Sequence, residues 1–450
     1  MDFEALQQRI AAENLDTIIV CMPDMQGRLV GKRESAEFFL STLQSGTHVC
    51  DYLFTVDMEG NPIPGFAAAS WDKGYGDYVL RPDFSTWKQA PWLLSSAIVI
   101  GDCLDHERHL VSIAPRAVLR SQIEAARKRG YAFKFASELE FYLFEDSFDE
   151  CLAKGFQNLR PSSPYSQDYN LLRTTRAEPL LQELREALAV MGIAVESTKG
   201  EWGAGQHEIS LRYADPLANA DQHVLYKHAM KEIAAQHGRS VTFMAKPFAE
   251  VAGSSCHIHA SLWSADGVNC RSADPSAADG LTADFRHFIA GILAHARECT
   301  LLFAPTVNSY KRFQTGSFAP TRIGWGRDNR TGGCRLVGEG DSTRIELRVP
   351  GADANPYLAY AAMIAAGLKG IEQKLSLPQE AQGNAYANSS LAEVPKTMSE
   401  AVSLLDGSRM AREALGDEVV DHYVHAARWE LSQYEAQVTE WERRRLFERT

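Results

Sequence analysis

The sequence predicts an α+β fold in which a small β-rich domain precedes a larger domain built around a mixed sheet. A short run of β-branched residues, 16–22, lies close to the N-terminus, and helix-like and strand-like segments alternate from residue 112 onward. The region beyond residue 395 is polar and mostly helical in pattern. We expect residues 1–108 to form the first domain and residues 109–450 the second.

The composition is that of an ordinary soluble globular protein. Of the 450 residues 45% are hydrophobic, and 46 basic side chains stand against 58 acidic ones, a formal net charge of −12. This acidic balance argues against a nucleic-acid partner and against an acidic membrane surface. The eight cysteines form no CxxC pair, and the N-terminal residues lack the basic and apolar segments of a secretory signal. We therefore expect a cytoplasmic protein with reduced thiols.

In the first domain, apolar spacing predicts a helix over 3–14, followed by a strand over 16–22. Residues 25–30 have the pattern of a turn that leads into a second strand, and residues 60–75, rich in Gly and Pro, predict a long loop. After the expected boundary, Ser112 and Pro115 provide an N-cap and an early helical proline. They predict a helix that continues to about Arg129.

In the second domain, strands and helices are expected to alternate. The predicted strands are 133–144, 208–213, 242–245, 257–262 and 344–349. The predicted helices are 177–192, 217–237, 282–301 and a segment from 355 to about 374.

Two of these strands carry side chains that suit a divalent cation. Glu138 and Glu140 lie two residues apart, so both carboxylates point to one face of the strand while Leu139 takes the other. His257 and His259 share a strand face in the same way. Like charges on one face are destabilising unless a positive charge lies nearby. A solvated outer face is the alternative to metal ligation, and the flanking phenylalanines favour ligation.

A third strand combines arginines with a carboxylate. Arg344, Glu346 and Arg348 share one face, and Arg330 and Arg335 precede them. Guanidinium groups bind phosphate and carboxylate oxygens bidentately, so converging arginines indicate an anionic substrate; a surface ion-pair ladder is the alternative. Carboxylates with one imidazole suit Mg²⁺ or Mn²⁺, and a divalent metal with arginines is typical of phosphoryl transfer. The sequence contains neither a GxxxxGK[ST] loop nor a kinase signature.

Taken together, these motifs resemble those of the glutamine synthetase family. In family order, they are Ser137-Glu-Leu-Glu-Phe-Tyr-Leu-Phe, the segment from Glu201 to Glu208, Lys246-Pro247, Gly253-Ser-Ser-Cys-His-Ile-His, Asn308-Ser-Tyr-Lys-Arg312, Asp328-Asn-Arg330, Arg344-Ile-Glu-Leu-Arg-Val-Pro and Asn355-Pro-Tyr-Leu. The resemblance implies an N-terminal β-grasp domain and a catalytic domain shaped as an open antiparallel β-barrel with surrounding helices. It also implies ATP-dependent ligation of glutamate to an amine through a γ-glutamyl phosphate.

The resemblance also implies roles for individual positions. The implied metal ligands are Glu140, Glu201 and Glu208 near the glutamate, and Glu138, His257 and Glu346 under the ATP phosphates. The implied substrate and nucleotide contacts are Arg312, Arg348 and the loop of Gly253 for glutamate, Arg330 and Arg335 as phosphate clamps, and His259, Ser261 and Arg344 for the nucleotide. Two or three Mg²⁺ (or Mn²⁺) ions per active site are implied, with ATP as co-substrate.

Three departures from the ammonia-using members concern the substrate sites. Phe318 stands where those members carry a Glu before Ala-Pro, and its ring offers apolar surface and a cation–π face instead of a negative charge. The family's Asp-Gly-Ser-Ser segment, which provides an acidic residue for ammonium, is absent. Asp57 is the expected replacement, with Asp51 and Glu59 as alternatives. Ala252 replaces an Asn in the glutamate-binding loop.

These departures point to the subfamily that ligates glutamate to organic amines, the γ-glutamylpolyamine and γ-glutamylamide synthetases. An ammonia-using glutamine synthetase with a rearranged ammonium site and a catalytically silent relative are the alternatives. The filled metal-ligand and arginine positions argue against a silent relative, because buried charges are costly unless they are used. The resemblance further implies a homo-oligomer, a dodecamer of two hexameric rings, in which Asp57 serves the active site of a neighbouring subunit.

Overall fold

The computed structural model describes residues 3–450 and contains sixteen strands in that range. The first six are β1 (Thr17–Pro23), β2 (Leu29–Ser35), β3 (Thr47–Cys50), β4 (Asp77–Pro82), β5 (Lys88–Gln89) and β6 (Ser96–Leu104). The others are β7 (Tyr131–Phe144), β8 (Val195–Gly200), β9 (Gln206–Leu211), β10 (Ser240–Thr242), β11 (Cys256–Ser264), β12 (Arg322–Ile323), β13 (Trp325–Arg327), β14 (Cys334–Val337), β15 (Arg344–Leu347) and β16 (Ala392–Glu393).

Fourteen α-helices lie in the same range. They are α1 (Phe3–Ala12), α2 (Ala36–Ser41), α3 (Pro115–Lys128), α4 (Phe148–Ala153), α5 (Leu171–Thr174), α6 (Glu178–Val190), α7 (Pro216–Gln236), α8 (Ala283–His295), α9 (Thr300–Phe303), α10 (Pro356–Gln373), α11 (Met398–Asp406), α12 (Arg409–Leu415), α13 (Asp417–Glu435) and α14 (Glu440–Leu446). No helix among these described residues is long and apolar enough to cross a membrane.

The first sheet has the strand order β2-β1-β6-β4-β3, with β5 beside β6. β1 and β6 pair in parallel, from Thr17 opposite Ser96 to Cys21 opposite Ile100, whereas the other pairs are antiparallel. The apolar run of β1 is buried almost throughout, as expected for a strand with parallel pairing. This mixed sheet, with α1 and α2 beside it, agrees with the expected β-grasp arrangement.

The predicted domain boundary at 108/109 falls in the connection between β6 and α3. β6 ends at Leu104, and α3 begins at Pro115. The division of the chain into domains 1–108 and 109–450 stays a prediction.

The second sheet has the order β13-β14-β15-β11-β7-β9-β8, with β10 beside β7. Its pairs are antiparallel except for β13 and β14. β7 is the long central strand: Phe135, Leu139 and Phe141 lie fully buried in the core, and the alternate residues face the other way. The predicted α+β architecture with a large, mostly antiparallel sheet and surrounding helices is confirmed.

Helix α10 fills the space beneath this sheet and is buried along nearly its whole length. Two glycines allow it to approach α8 closely. A Cβ atom added at Gly370 would overlap the His287 carbonyl oxygen, and one added at Gly291 would overlap that of Ala366. The core of the large sheet therefore depends on two glycines at one helix crossing.

Most predicted helices and strands match the observed ones to within two residues at each end, and two differ by more. The strand predicted over 242–245 is Ser240–Thr242, because the chain then leaves the sheet towards Lys246, whose backbone pairs with the side chain of Asn308. The helix predicted over 282–301 ends at His295, and a turn separates it from α9. Apolar spacing continues through that turn, so periodicity alone does not reveal the break.

Candidate active site

The second sheet brings the predicted acidic and imidazole groups to one face. Across neighbouring strands, the facing pairs are Glu138 with His257, Glu140 with Glu208, and Glu346 with His259. Because side chains alternate along a strand, the carboxylates of β7 point away from the core residues Leu139 and Phe141. The strand register, rather than any loop, therefore positions most of the site.

One group of three residues, Glu138, His257 and Glu346, has ligand atoms that all lie within 4.8 Å of one another. His257 Nδ1 is 3.3 Å from Glu138 Oε2 and 3.5 Å from Glu346 Oε1. Glu346 is fully buried, whereas the Glu138 side chain is 28% exposed. Two carboxylates and one imidazole thus converge on a point at the edge of the interior.

A second group, Glu140, Glu208 and His257, also has ligand atoms within 4.8 Å of one another. Burial and the negative charge of Glu201 raise the pKa of Glu140 to about 8. Burial and the charge of Glu138 raise the pKa of Glu208 to about 9. Carboxylates in this setting repel one another, and a bound cation would relieve that repulsion.

The two groups fit a hard divalent cation. Carboxylate oxygens with one imidazole are donors that Mg²⁺ and Mn²⁺ accept. Burial and the charge of Arg348 lower the pKa of His257 to about 4, so its ring is neutral at physiological pH. The buried Nε2 of His257 has no hydrogen-bond partner in the part of the chain that the structure describes.

Glu201 lies beside the second group rather than within it. It follows β8 directly, and its carboxylate pairs with Lys199. Lys199 Nζ is also 3.3 Å from Asp168 Oδ1 and 4.3 Å from the ring centroid of Tyr169. Glu201, one of the five carboxylates predicted to bind metal, is therefore paired with a lysine.

Arg335 and Arg348 flank Glu346. Arg335 Nη1 donates to Glu346 Oε2 at 2.6 Å, and Arg348 Nη1 donates to Oε1 of the same carboxylate. Arg344 contacts a different residue, because its Nε donates to His259 Nδ1 at 3.2 Å. The pairing of β14 with β15 places Arg335 opposite Glu346, so one of the two arginines at this carboxylate comes from the neighbouring strand.

Arg330 lies on the rim of the site. Its side chain is 53% exposed, and Nη1 is 3.8 Å from Asp328 Oδ1. Arg335 Nε donates to the same oxygen at 3.0 Å. Asp328 therefore links the two predicted phosphate-clamp arginines.

Arg312 is fully buried at the end of a short 3₁₀ helix, Ser309–Arg312. Nη1 donates to the Val349 carbonyl at 2.8 Å, and Nη2 donates to the Arg348 carbonyl at 2.7 Å and to Ser255 Oγ at 3.0 Å. Gly253 packs directly on this side chain, since a Cβ there would lie 2.6 Å from Arg312 Cγ. Among the three side-chain nitrogens of Arg312, Nε has no hydrogen-bond partner in the described residues.

A cavity of about 240 Å³ adjoins the carboxylate face. The predicted nucleotide contacts His259, Ser261 and Arg344 all line it. Tyr213 and Trp263 line it as well, and Trp263 Nε1 donates to Ser261 Oγ at 2.8 Å. Neither aromatic residue was predicted as a site residue, although Trp263 follows the His-x-His motif on the same strand.

Phe318 occupies the segment between Arg312 and β12. It is 56% exposed and has a φ of +59°, which is unusual for an aromatic residue. Its carbonyl accepts a hydrogen bond from Arg348 Nη2 at 3.3 Å, and the next carbonyl, of Ala319, accepts one from the Tyr386 hydroxyl at 3.0 Å. These two contacts fasten the Phe318 segment to the site and leave the ring exposed.

Asp57 is not brought to these strands within residues 3–450. Oδ1 accepts hydrogen bonds from the backbone N–H groups of Glu59 and Asn61, at 3.1 and 2.7 Å, and Oδ2 accepts one from Asn61 Nδ2. Asp51 binds the backbone N–H of Gly76 at 3.0 Å, and Glu59 is exposed. The role expected for these acidic residues thus depends on a neighbouring subunit and stays a prediction.

Gln206 is a site residue that the sequence interpretation missed. Its Nε2 donates to Glu140 Oε2 at 3.1 Å and to the Gly253 carbonyl at 2.9 Å. Tyr142 supports the same loop, because its hydroxyl donates to the Ala252 carbonyl at 2.8 Å. Both belong to the predicted motifs, but only the strand register shows that they join the carboxylates to the glycine loop.

Comparisons with known proteins agree with this geometry. Residues 112–446 match the family model described as glutamine synthetase, catalytic domain. The chain is 48% identical over 447 residues to γ-glutamylethanolamide synthetase GlnA4 of Streptomyces coelicolor, covering 99% of this chain and 96% of that protein. It is 38% identical over 437 residues to glutamate–isopropylamine ligase of a Pseudomonas species, covering 96% and 95%. A solved structure of a GmaS–ADP complex is 28% identical, with a TM-score of 0.87 and coverage of 98% and 99%. The chain therefore belongs to the glutamine synthetase family.

Proposed function

We propose that the chain ligates the γ-carboxylate of glutamate to a small primary amine, with ATP as co-substrate and γ-glutamyl phosphate as intermediate. The observation that carries this proposal is the placement of two three-residue ligand groups, sharing His257, next to arginines on one sheet face. Phosphoryl transfer depends mostly on positioning and charge neutralisation, which such a face supplies.

The metal ligands proposed are Glu138, His257 and Glu346 for one ion, and Glu140, Glu201 and Glu208 for another. Two or three Mg²⁺ or Mn²⁺ ions bound there would neutralise the ATP phosphates and the acyl phosphate. Before Glu201 can bind the metal ion, its carboxylate must separate from the ammonium group of Lys199.

The arginines of the site act on the anionic substrates. Arg335 and Arg330, linked through Asp328, are proposed to bind the transferring phosphoryl group. Arg348 is proposed to bind the glutamate carboxylate. Arg312 is proposed to hold the Gly253 loop, since its Nη atoms are used by the chain itself.

The reaction proceeds in two displacements. The glutamate γ-carboxylate oxygen attacks the γ-phosphorus of ATP, and ADP leaves. The amine nitrogen then attacks the acyl carbon, phosphate leaves, and a base accepts the proton from nitrogen. We propose Asp57 of a neighbouring subunit as that base, in a dodecamer of two hexameric rings.

Phe318 favours an organic amine over ammonium. Its exposed ring provides apolar surface for a carbon chain and cannot accept a proton. The ethanolamide- and isopropylamide-forming activities named for the two relatives support small primary amines as the substrate class.

An amine panel tests the proposal. Phosphate release from ATP would be measured with glutamate and, separately, ethanolamine, isopropylamine, a diamine, benzylamine and ammonium, with product masses determined in parallel. We expect kcat/KM for ethanolamine or isopropylamine to exceed that for ammonium at least about tenfold, equivalent to about 1.4 kcal/mol. Ammonium as the best acceptor would indicate glutamine synthesis instead, and no turnover with any amine would contradict an enzymatic role.

A further inference from the structure

A second, larger cavity of about 550 Å³ lies between the loops of the first sheet and helices α7, α10 and α13. None of the proposed metal ligands or phosphate-binding arginines lines it. Its volume is within the range of small-molecule sites in proteins. Asp57, proposed as the base for the active site of a neighbouring subunit, does line it, but the other charged residues of the cavity need a separate explanation.

One wall of this cavity carries two lysines, Lys227 and Lys231, one turn apart on α7. Lys227 Nζ donates to the Ala352 carbonyl at 3.0 Å, and the two Nζ atoms lie 5.1 and 6.0 Å from the ring centroid of Phe243. Neither lysine forms an ion pair with a carboxylate of residues 3–450. Lys227 is half-buried and Lys231 is exposed, and like charges at this spacing on a helix repel each other.

The pKa values of both lysines are lowered, as expected for ammonium groups without a counter-charge. Burial and the charge of Lys231 lower the pKa of Lys227 to about 8. Burial and the charge of Arg28 lower the pKa of Lys231. Both ammonium groups are thus less stable in the protein than in water, and an anion would reverse the effect.

Another part of the wall is acidic. Asp57 and Glu430 line the cavity, and the Glu430 carboxylate has no hydrogen-bond or ion-pair partner in the described chain. Burial and the charges of Glu59 and Asp57 raise the pKa of Glu430. A cation placed here would relieve this repulsion.

The other charges on the wall already have partners. Arg28 Nε pairs with Asp24 at 2.7 Å. Asp353 Oδ2 accepts hydrogen bonds from Thr306 Oγ1 at 2.8 Å and from Ser309 Oγ at 2.6 Å. The lysine pair therefore lacks a counter-charge, and Glu430 lacks a partner among the described residues. Apolar residues such as Met25, Val56, Ile63, Leu301 and Leu358 line the cavity with them.

We propose that this cavity binds a small ω-amino carboxylate, with its carboxylate at Lys227 and Lys231, its ammonium group at Glu430, and its carbon chain against the apolar wall. A simple anion would leave Glu430 without a counter-charge, and a simple amine would leave the lysines without one. A zwitterion with an apolar chain provides a counter-charge for the lysines and for Glu430 at the same time.

Three probes that differ by one group test this assignment: 6-aminohexanoate, hexanoate and hexylamine. Binding to the full chain would be measured by calorimetry and by the shift in melting temperature, without ATP or glutamate. We expect 6-aminohexanoate to bind at least fivefold more tightly than either of the other two. Equal affinity for hexanoate and 6-aminohexanoate would overturn the zwitterion assignment.

Variants of the cavity test which charged residues bind the carboxylate and which bind the ammonium group of the ligand. Lys227→Met with Lys231→Met should weaken 6-aminohexanoate at least tenfold and abolish hexanoate binding. Glu430→Gln should leave hexanoate unchanged and remove the advantage of 6-aminohexanoate over it. Lys128→Met on α3 and Glu435→Gln on α13, which change exposed residues without ion pairs, are matched controls and should bind like the wild type. Unchanged 6-aminohexanoate binding in both cavity variants would place the ligand elsewhere and refute the proposal.

The single variant Lys231→Met provides a test that does not depend on Lys227, which contacts the backbone. It should also weaken 6-aminohexanoate, and a wild-type melting temperature without ligand would show that folding is intact. Because binding is measured without turnover, failure of the proposed ligation and failure of this site are distinguishable. An unchanged affinity in a folded Lys231→Met variant would contradict the proposed lysine pair.

Discussion

Glu138 and His257 lie opposite each other on β7 and β11, with Glu138 Oε2 3.3 Å from His257 Nδ1. The His257 ring is neutral, and hydrogen bonds from His257 and His259 outweigh burial, so that the pKa of Glu138 lies well below its usual range. Glu138 is thus ionised and His257 keeps a lone pair, which is the protonation state that a divalent cation requires.

Metal binding should stabilise the folded chain. Mg²⁺ or Mn²⁺ at about 100 times its dissociation constant adds about 2.7 kcal/mol to the free energy of unfolding, because the unfolded chain has no preformed site. We expect a rise of a few degrees in melting temperature, reversed by a chelator.

Emptying one ligand position separates this effect from general salt effects. His257→Ala removes the residue shared by both groups and should abolish both the stabilisation and the activity. Glu448→Ala, an exposed change near the C-terminus, should retain them. A normal metal-induced shift in His257→Ala would contradict the ligand assignment.

The type and face of most elements could be predicted from the sequence, but their partners could not. The alternation of Glu138, Glu140 and the core residues of β7 indicated which side chains share a face. Periodicity carries no information about register, however, and the parallel pairing of β1 with β6 joins strands that are far apart in sequence. The break between α8 and α9 was missed for a similar reason, since apolar residues continue through it.

The same limit applies to the site. The motifs identified Arg344, Glu346 and Arg348, but the contact of Glu346 with Arg335 arises from the pairing of β14 with β15. Lys199 was not predicted, because its effect on Glu201 depends on the turn after β8. Sequence motifs thus identify the charged residues of the site, and the pairing of the strands determines which of these residues neutralise one another.

Phe318→Glu should shift acceptor preference towards ammonium. A carboxylate at this exposed position supplies the negative charge and the proton acceptor that the ring lacks, so kcat/KM for ammonium should rise about tenfold and that for ethanolamine should fall. Steady-state kinetics with both acceptors measures the change. Phe318→Leu is the control, since it keeps apolar surface without charge. No gain in ammonium use by Phe318→Glu would mean that this position does not determine the acceptor.

Arg312→Lys should cost stability as well as glutamate affinity. Lysine keeps the charge but cannot reach the Val349 and Arg348 carbonyls together, so buried acceptors lose their donors. We expect a loss of about 2–4 kcal/mol in the free energy of unfolding and an increased KM for glutamate. Urea unfolding and kinetics measure the two effects. Arg444→Lys, at the exposed ion pair with Glu440 on α14, should change neither. A stable Arg312→Lys variant would show that these backbone contacts are dispensable.

Acid should weaken the contact between the first sheet and α3. Burial opposes ionisation of Asp83, but hydrogen bonds, chiefly from Arg116 at 2.7 Å, outweigh it and lower the pKa of Asp83 to about 2. A carboxyl group whose pKa is lowered by folding stabilises the protein above the unfolded value near 4, and this contribution disappears between about pH 4 and pH 2.

The variant Asp83→Asn measures that contribution. It should lose about 1 kcal/mol at pH 7, a value discounted for partial exposure, and approach the wild type near pH 2. Urea unfolding at pH 7, 5 and 3 follows the difference. Asp72→Asn, at an exposed residue with no ion pair, is the control. A difference that stays constant with pH would show that ionisation of Asp83 is not the cause.

Lys199→Met should increase metal affinity in the absence of substrates. In the metal-free chain the Lys199 ammonium group neutralises Glu201 and adds positive charge next to Glu208, its partner in the β8–β9 register. An incoming cation must displace that ammonium group from Glu201, so its removal should tighten Mn²⁺ binding about three- to tenfold. Calorimetric titration with Mn²⁺ measures the change, and Lys128→Met, at an exposed position on α3, is the matched control. Weaker binding by Lys199→Met would reverse the interpretation: the lysine would then hold Glu201 in its ligating position rather than compete for it.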